Sequence, residues 1–148
     1  MKCPLCHHEG CSLACKRDTM LLVARILFAA ILITHGWGKL MGPMPGMAGF
    51  TGMLAGLSFP IPAVWAWVVA LIETLGGLAI LLGVWAEKAA MLVAIEFLVI
   101  VLYVKKMNWS KAELDMAMLA LSLVFSAFGA GKYAIMKPAA TAVAESKK

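Results

Sequence analysis

The sequence predicts an all-α fold: a four-helix transmembrane bundle with a short interfacial loop or helix between helices one and two. The chain has 148 residues, of which 63% are hydrophobic and only 14% charged, and its mean hydropathy is +0.91. Soluble domains of this size are less apolar. The apolar residues form four windows, at about 20–41, 61–85, 89–103 and 113–130. Since about 20 apolar helical residues cross the hydrocarbon of a bilayer, each window is a predicted span.

The first span is Leu21–Met41, and Asp18 or Thr19 is expected to cap its N-terminus. Gly42–Pro43 and Pro45–Gly46 interrupt the helix afterwards. The window is too long for the apolar core of a signal peptide, and no Ala-x-Ala-like site follows it. We therefore expect it to remain in the mature protein.

The later elements have their own boundary signals. Ala48–Leu57 is predicted to be a short helix at the membrane interface. Pro62 suits the first turn of helix two, and Ser110–Glu113 has the form of a capping box at the start of helix four. The predicted organisation is a leader at 1–18, a membrane domain at 19–133 and a disordered tail at 134–148.

The distribution of basic residues predicts the orientation of the bundle. Eight lie on the side of the termini, namely Lys2, Lys16, Arg17, Lys88, Lys132, Lys137, Lys147 and Lys148. Four lie on the opposite side, namely Lys39, Lys105, Lys106 and Lys111. Both termini are therefore predicted to be cytoplasmic. The net charge is +5, and the basic residues flank the membrane segments and form no stripe. Anionic lipid is therefore the expected partner and nucleic acid is not.

The leader holds all four cysteines of the chain in a C-x2-C-x4-C-x3-C pattern, together with two adjacent histidines. Thiolates and imidazoles are ligands for zinc or another soft metal. The candidate metal ligands are Cys3, Cys6, His7, His8, Cys11 and Cys15. Two alternatives stay open: covalent haem attachment through the C-x-x-C-H pattern, which occurs outside the cytoplasm, and a reduced, unstructured tail.

Charged residues inside the predicted spans are the main functional signal, because such groups are costly in hydrocarbon and usually face a bundle interior. A helical rise of about 1.5 Å per residue places Arg25 about 9 Å, and Glu73 and Glu96 about 14 Å, from the inner surface. We therefore expect these three residues to form one polar layer. It could bind a quinone head group or carry a proton, or it could be a buried ion pair that only fixes packing.

A second polar cluster is expected near the outer surface. His35 and Lys39 are four residues apart and share a helix face, and Glu113 and Asp115 begin helix four at a similar height. His35 could relay protons because imidazole titrates near neutral pH. Two alternatives remain: Lys39 could simply extend into water, and Glu113 could only cap its helix.

Several of these features occur in order along the chain. They are Arg25 in helix one, H-G-x-x-K-L at its end, G-F followed by P-x-P in the loop, E-x-x-G-G in helix two, and an acid-led fourth helix. In this respect residues 20–133 resemble the DoxX family of small four-helix membrane proteins. The cysteine-rich leader is outside the family pattern.

The resemblance implies a multi-pass protein of the bacterial inner membrane. The family takes its name from a membrane subunit of a thiosulfate:quinone oxidoreductase, so a redox-enzyme partner subunit and a quinone are the expected partner and cofactor. On the family's recurrent polar positions fall Arg25, His35, Lys39, Glu73 and Glu113. Glu96 and Asp115 join the candidate site from the depth argument alone.

The leading functional hypothesis is a membrane subunit that supports a quinone-linked oxidoreductase or a redox-stress complex. The sequence contains no phosphate-binding loop and no flavin or nicotinamide fingerprint, which makes catalysis by this chain alone doubtful. The alternative is a small transporter or metal-handling protein that uses the Cys/His leader. G-x-x-x-G spacing at Gly42/Gly46 and Gly52/Gly56 permits a homo-oligomer without requiring one.

Overall fold

A computed structural model describes residues 11–43, 46–106 and 108–136, and this part of the chain contains helices and no strand. The elements are α1 (Cys11–Met41), α2 (Gly46–Gly56), α3 (Pro62–Leu71), a first π-helical segment (Ile72–Gly76), α4 (Gly77–Leu82), α5 (Ala86–Val99), a second π-helical segment (Ile100–Val104) and α6 (Trp109–Phe128). The first π segment joins α3 to α4, and the second extends α5. The result is four antiparallel rods and the short α2. The rods are α1, α3 with the first π segment and α4, α5 with the second π segment, and α6.

The predicted all-α fold is confirmed, and the four rods agree closely with the four apolar windows. Asp18–Met41 and Pro62–Leu82 are each long and apolar enough to cross a membrane. The other two rods are interrupted by more charge: Glu87, Lys88 and Glu96 lie on α5, and Lys111, Glu113 and Asp115 lie on α6. The short helix expected at Ala48–Leu57 is also present, as α2.

Two predicted helix starts are wrong. Helix α1 begins at Cys11, so Asp18 and Thr19 lie inside it and do not cap it. The reason is that no glycine or proline follows Gly10 until Gly36, and nothing interrupts the helix in between. Helix α6 begins at Trp109, with Asn108 at the N-cap and no side-chain capping bond. The Ser110 hydroxyl instead donates to Asn108 Oδ1 at 3.1 Å, so the predicted capping box does not form.

The bundle has two ends, which we call proximal and distal. At the proximal end α4 turns into α5 at Gly83–Trp85 and the chain leaves α6 at Gly129. At the distal end lie α2 and the connection between the second π segment and α6. α1 packs on the rod formed by α3 and α4, α5 packs on that rod and on α6, and α2 rests against α1 and α3.

The apolar core lies between the four rods. Phe28 of α1 stacks on Phe125 of α6 with ring centroids 5.5 Å apart. Ile80 of α4 and Val93 of α5 are fully buried beside them. One continuous cluster therefore joins all four rods and fixes the bundle below the distal end.

The contact between α1 and the α3–α4 rod is unusually close. A Cβ atom at Gly36 would lie 2.3 Å from Thr74 Oγ1 and 2.7 Å from the Thr74 backbone nitrogen. A Cβ at Gly77 would lie 2.9 Å from Ile33 Cγ1. Small residues permit this approach of two helix backbones, and the pairing of Gly36 with Thr74 fixes the register between the rods.

Substitution of Gly36 tests this contact. Gly36→Val should lower the free energy of unfolding by about 1–3 kcal/mol, because overpacking forces the two backbones apart. Gly38→Val is the matched control, since no atom lies within 4 Å of a Cβ at Gly38. Denaturant unfolding in mixed micelles measures both variants. Equal loss of stability in the two would contradict the close-contact account.

Candidate functional site: a polar cavity in the distal half

The distal half of the bundle contains a cavity of about 630 Å³. Most of its wall is apolar, with residues from every rod and from α2; examples are Ile31, Leu54, Trp65, Ile95 and Met118. Six polar side chains also line it, namely His35, Lys39, Glu73, Glu96, Lys105 and Asp115. An apolar cavity with a few convergent polar groups is typical of a small-molecule site.

An ion pair between the partly exposed Lys39 and the buried Glu73 joins α1 to the first π segment. Lys39 Nζ donates to Glu73 Oε2, and only 3% of Glu73 is exposed. Helical side chains lean towards the N-terminus of their own helix. α1 runs towards the distal end and the α3–α4 rod runs away from it. The Lys39 side chain therefore points towards the proximal end and the Glu73 side chain towards the distal end. Because Gly36 lies level with Thr74, the two side chains meet.

Both π-helical segments lie at the wall of the cavity. Glu73 belongs to the first segment, and Ile100 and Val104 of the second line the same space. A π segment inserts extra backbone into a helix and changes the direction of the side chains that follow, and such segments occur frequently at functional sites. The first segment thus contains Glu73, one of the charged side chains that line the cavity.

Glu96 is the second buried carboxyl group of the cavity. Only 7% of the residue is exposed, and neither Oε1 nor Oε2 has a hydrogen-bond partner. Glu73 and Lys39 are close enough to act electrostatically on it. A buried polar group without a partner is costly, so Glu96 is the position in this cavity where a bound molecule would gain a contact that the protein does not supply.

The distal mouth of the cavity is more accessible. His35 is exposed, and Lys105 Nζ lies 3.7 Å from Asp115 Oδ2 with both side chains partly exposed. Lys39 Nζ also lies 5.0 Å from the ring centroid of Phe50 on α2, a cation–π contact. α2 therefore covers the ion pair from the distal side.

Arg25 does not belong to this cavity, and the predicted layer of Arg25 with Glu73 and Glu96 is wrong in that respect. Its Nη1 donates to the Ala130 carbonyl at 2.8 Å and its Nη2 donates to the Tyr133 carbonyl at 3.0 Å. Arg25 is 97% buried, since 3% of it is exposed. It holds the segment 129–136, which we call the proximal strap, across the end of the bundle.

The direction of the side chains explains the difference. Arg25 leans towards the proximal end and Glu73 towards the distal end, because their helices are antiparallel. Arg25 Nη1 lies 3.0 Å from the position of a Cβ at Gly83, and ten residues of helix, about 15 Å, separate Gly83 from Glu73. Depth counted from backbone positions places the two side chains too close together.

Gly83 permits the strap to pack. Its φ of +70° is in the left-handed region, and a Cβ there would lie 2.7 Å from Cα of Ala134 as well as against Arg25. The backbone N–H groups of Ile135 and Met136 donate to the carbonyls of Leu82 and Gly83 at 3.2 and 3.3 Å. The strap is thus fixed by one arginine and by main-chain bonds.

A family model described as DoxX matches residues 20–106. The chain belongs to the DoxX family. No curated protein and no solved structure matches it.

The family match begins at residue 20 within α1 of this DoxX protein, extends through the second π segment and ends before α6. It includes Arg25, His35, Lys39, Glu73 and Glu96, whereas Glu113 and Asp115 fall outside it. DoxX is a membrane family, which agrees with the two spans apolar enough to cross a bilayer.

The remaining predicted site residues fall into two groups. Asp115 lines the cavity, whereas Glu113 is exposed and does not line it. The candidate metal ligands Cys3, Cys6, His7 and His8 lie outside the described residues, and Cys11 and Cys15 fall in the first turns of α1. Within the described ranges, no group of three or more His, Cys, Asp or Glu side chains could hold a metal ion.

Sequence reasoning missed the contributions of Lys105 and of the aromatic wall formed by Phe50, Phe59 and Trp65. In the sequence Lys105 counts only among the basic residues on the side opposite the termini. The short connection between α2 and α3 was the available signal, since it keeps the aromatic residues of both elements near each other. Phe59 and Trp65 are in edge contact, with centroids 5.9 Å apart.

Breaking the ion pair provides a test of its geometry. Lys39→Met should destabilise the protein by about 3–5 kcal/mol, because it leaves Glu73 buried without its partner. The double variant Lys39→Met/Glu73→Leu should recover most of that loss. Lys106→Met, at an exposed lysine of the same end, is the control. Denaturant unfolding in micelles measures all three, and a Lys39→Met protein as stable as the control would contradict the burial of the pair.

The role of Arg25 can be tested separately. Arg25→Met should detach the proximal strap, since hydrogen bonds from charged donors each contribute about 1.5–3 kcal/mol. Hydrogen exchange at the Ile135 and Met136 amides should accelerate in this variant. Exchange should stay unchanged in Lys132→Met, whose exposed side chain lies in the same segment. Unaltered exchange in Arg25→Met would show that the strap is held by other contacts.

Proposed function

We propose that this DoxX protein is a membrane subunit or accessory of a quinone-linked oxidoreductase or redox-stress complex, and that its distal cavity binds a quinone-like molecule. The observation that carries the proposal is the buried, unpartnered carboxyl group of Glu96 beside the Lys39–Glu73 pair in a mainly apolar cavity. The family membership supports the membrane assignment.

The chemistry of the cavity suits such a ligand. Its volume of about 630 Å³ lies within the range of about 300–1,000 Å³ that is typical of small-molecule sites. The apolar walls would contact the ring and the first part of an isoprenoid tail. Lys39 Nζ has three N–H donors, of which Glu73 accepts one, and another could reach a ligand oxygen.

We assign the electron transfer to a partner subunit, because the sequence has no flavin or nicotinamide fingerprint. In this proposal the DoxX chain holds the quinone in the membrane at the surface where the partner docks. The excess of basic residues at the proximal end supports an orientation with both termini in the cytoplasm of a bacterium. The distal cavity would then face the outer leaflet of the inner membrane.

Binding of decylubiquinone to the full chain in lipid nanodiscs tests the proposal. Isothermal titration calorimetry should show saturable binding to the wild type. At mildly acidic pH, where a protonated Glu96 carboxyl group can donate to a quinone carbonyl, Glu96→Leu should weaken that binding about tenfold, the equivalent of one hydrogen bond. Glu87→Gln, an exposed position at the proximal end of α5, is the control and should bind as the wild type does.

Arg25→Met should also retain quinone binding, since Arg25 lies outside the cavity. Circular dichroism of each variant confirms that the helices are retained. Absence of saturable quinone binding by the folded wild type would overturn the proposal. Equal binding by Glu96→Leu and Glu87→Gln would remove the cavity as the site.

A further inference from the structure

We propose that Glu96 makes the distal cavity distinguish the two redox forms of its ligand, so that ionised Glu96 selects the hydroxyl-bearing quinol and protonated Glu96 accommodates the quinone. The inference rests on the proposed quinone-binding function and deepens it. It comes from the balance of hydrogen-bond donors and acceptors in the cavity.

The other charged groups of the cavity are already paired. Lys39 on α1 is bonded to Glu73 of the first π segment, and Lys105 lies 3.7 Å from Asp115 on α6. His35, also on α1, is exposed at the mouth. Among the charged side chains that line the cavity, these two pairs leave Glu96 of α5 as the acid with no counterpart.

The identity of the unpartnered group determines what a ligand must offer. An ionised carboxylate only accepts hydrogen bonds, and a protonated carboxyl group can also donate one. A quinone has carbonyl oxygens that only accept, whereas the hydroxyl groups of a quinol both donate and accept. Ionised Glu96 can therefore pair with a quinol and not with a quinone.

Protonation of Glu96 reverses this preference. Its O–H group would then donate to a quinone carbonyl, while Lys39 Nζ could donate to an oxygen of either form. The exchange involves one proton, which passes between the Glu96 carboxyl group and water. No electron moves and no bond of the ring changes. The step therefore needs no oxidant or reductant.

Glu73 does not serve the same purpose. Its Oε2 accepts a hydrogen bond from Lys39. Lys39 therefore balances the charge of Glu73 whichever form of the ligand is bound. Neither oxygen of Glu96 has a partner within the described part of the protein. A single residue on α5 thus determines the preferred form.

The sign of the pH dependence follows from these contacts. A ligand that binds the ionised form of a carboxyl group binds more tightly as pH rises, and a ligand that binds its protonated form binds more weakly. The ratio of quinol affinity to quinone affinity should therefore increase from mildly acidic to alkaline pH. In Glu96→Gln the ratio should not depend on pH, because the amide does not ionise and offers the same donor and acceptor groups at every pH.

The test uses the full chain in nanodiscs under anaerobic conditions, with decylubiquinone and decylubiquinol as the probes. For the wild type, the affinity ratio should change by about tenfold across the titration of Glu96, the size of one charge-assisted hydrogen bond. Glu96→Gln should bind both forms with a constant ratio. Glu87→Gln should behave as the wild type and controls for a change of charge on the same helix.

The outcomes separate this inference from the proposed function. Quinone and quinol binding with a ratio that is constant in pH for the wild type would overturn the role of Glu96 and leave the cavity as a quinone site. A pH-dependent ratio that persists in Glu96→Gln would overturn it too, since another group would then be responsible. Failure of the folded wild type to bind either form would overturn both proposals.

Discussion

The close approach of α1 to the α3–α4 rod is the constraint on which the rest of the structure depends. Gly36 and Gly77 leave no room for a side chain between the two helices, and their contacts fix the helical register. This register brings Lys39 over Glu73 at the distal end and Arg25 against Gly83 at the proximal end. One helix–helix contact thus separates the buried charges into two independent sites.

The two sites have different chemistry because their basic residues bind different acceptors. Lys39 meets a carboxylate in a cavity, so its charge is balanced locally and its remaining donors stay available. Arg25 meets two main-chain carbonyls, and two of its donor groups thereby hold the chain. The first arrangement leaves space for a ligand and an acid, Glu96, without a partner. The second closes the bundle.

Hydropathy was sufficient to predict the four helices. A helix that crosses a bilayer needs a certain length and an apolar composition, and the sequence shows both directly. Counting depth predicted one layer for Glu73 and Glu96, and both line one cavity. It failed for Arg25, since depth refers to Cα atoms while antiparallel helices direct their side chains oppositely. The close contact at Gly36 determined the partner of Glu73, and a single sequence does not contain that register.

The manner in which Arg25 holds the proximal strap has a consequence for the sequence of the strap. Both of its bonds go to main-chain oxygens, at Ala130 and Tyr133, and every residue type provides such an oxygen. The contact therefore requires the arginine and Gly83, whereas it does not constrain the half-exposed Tyr133 side chain. Side chains of the strap can change without loss of these two bonds, so the path of the strap depends on its main chain more than on its sequence.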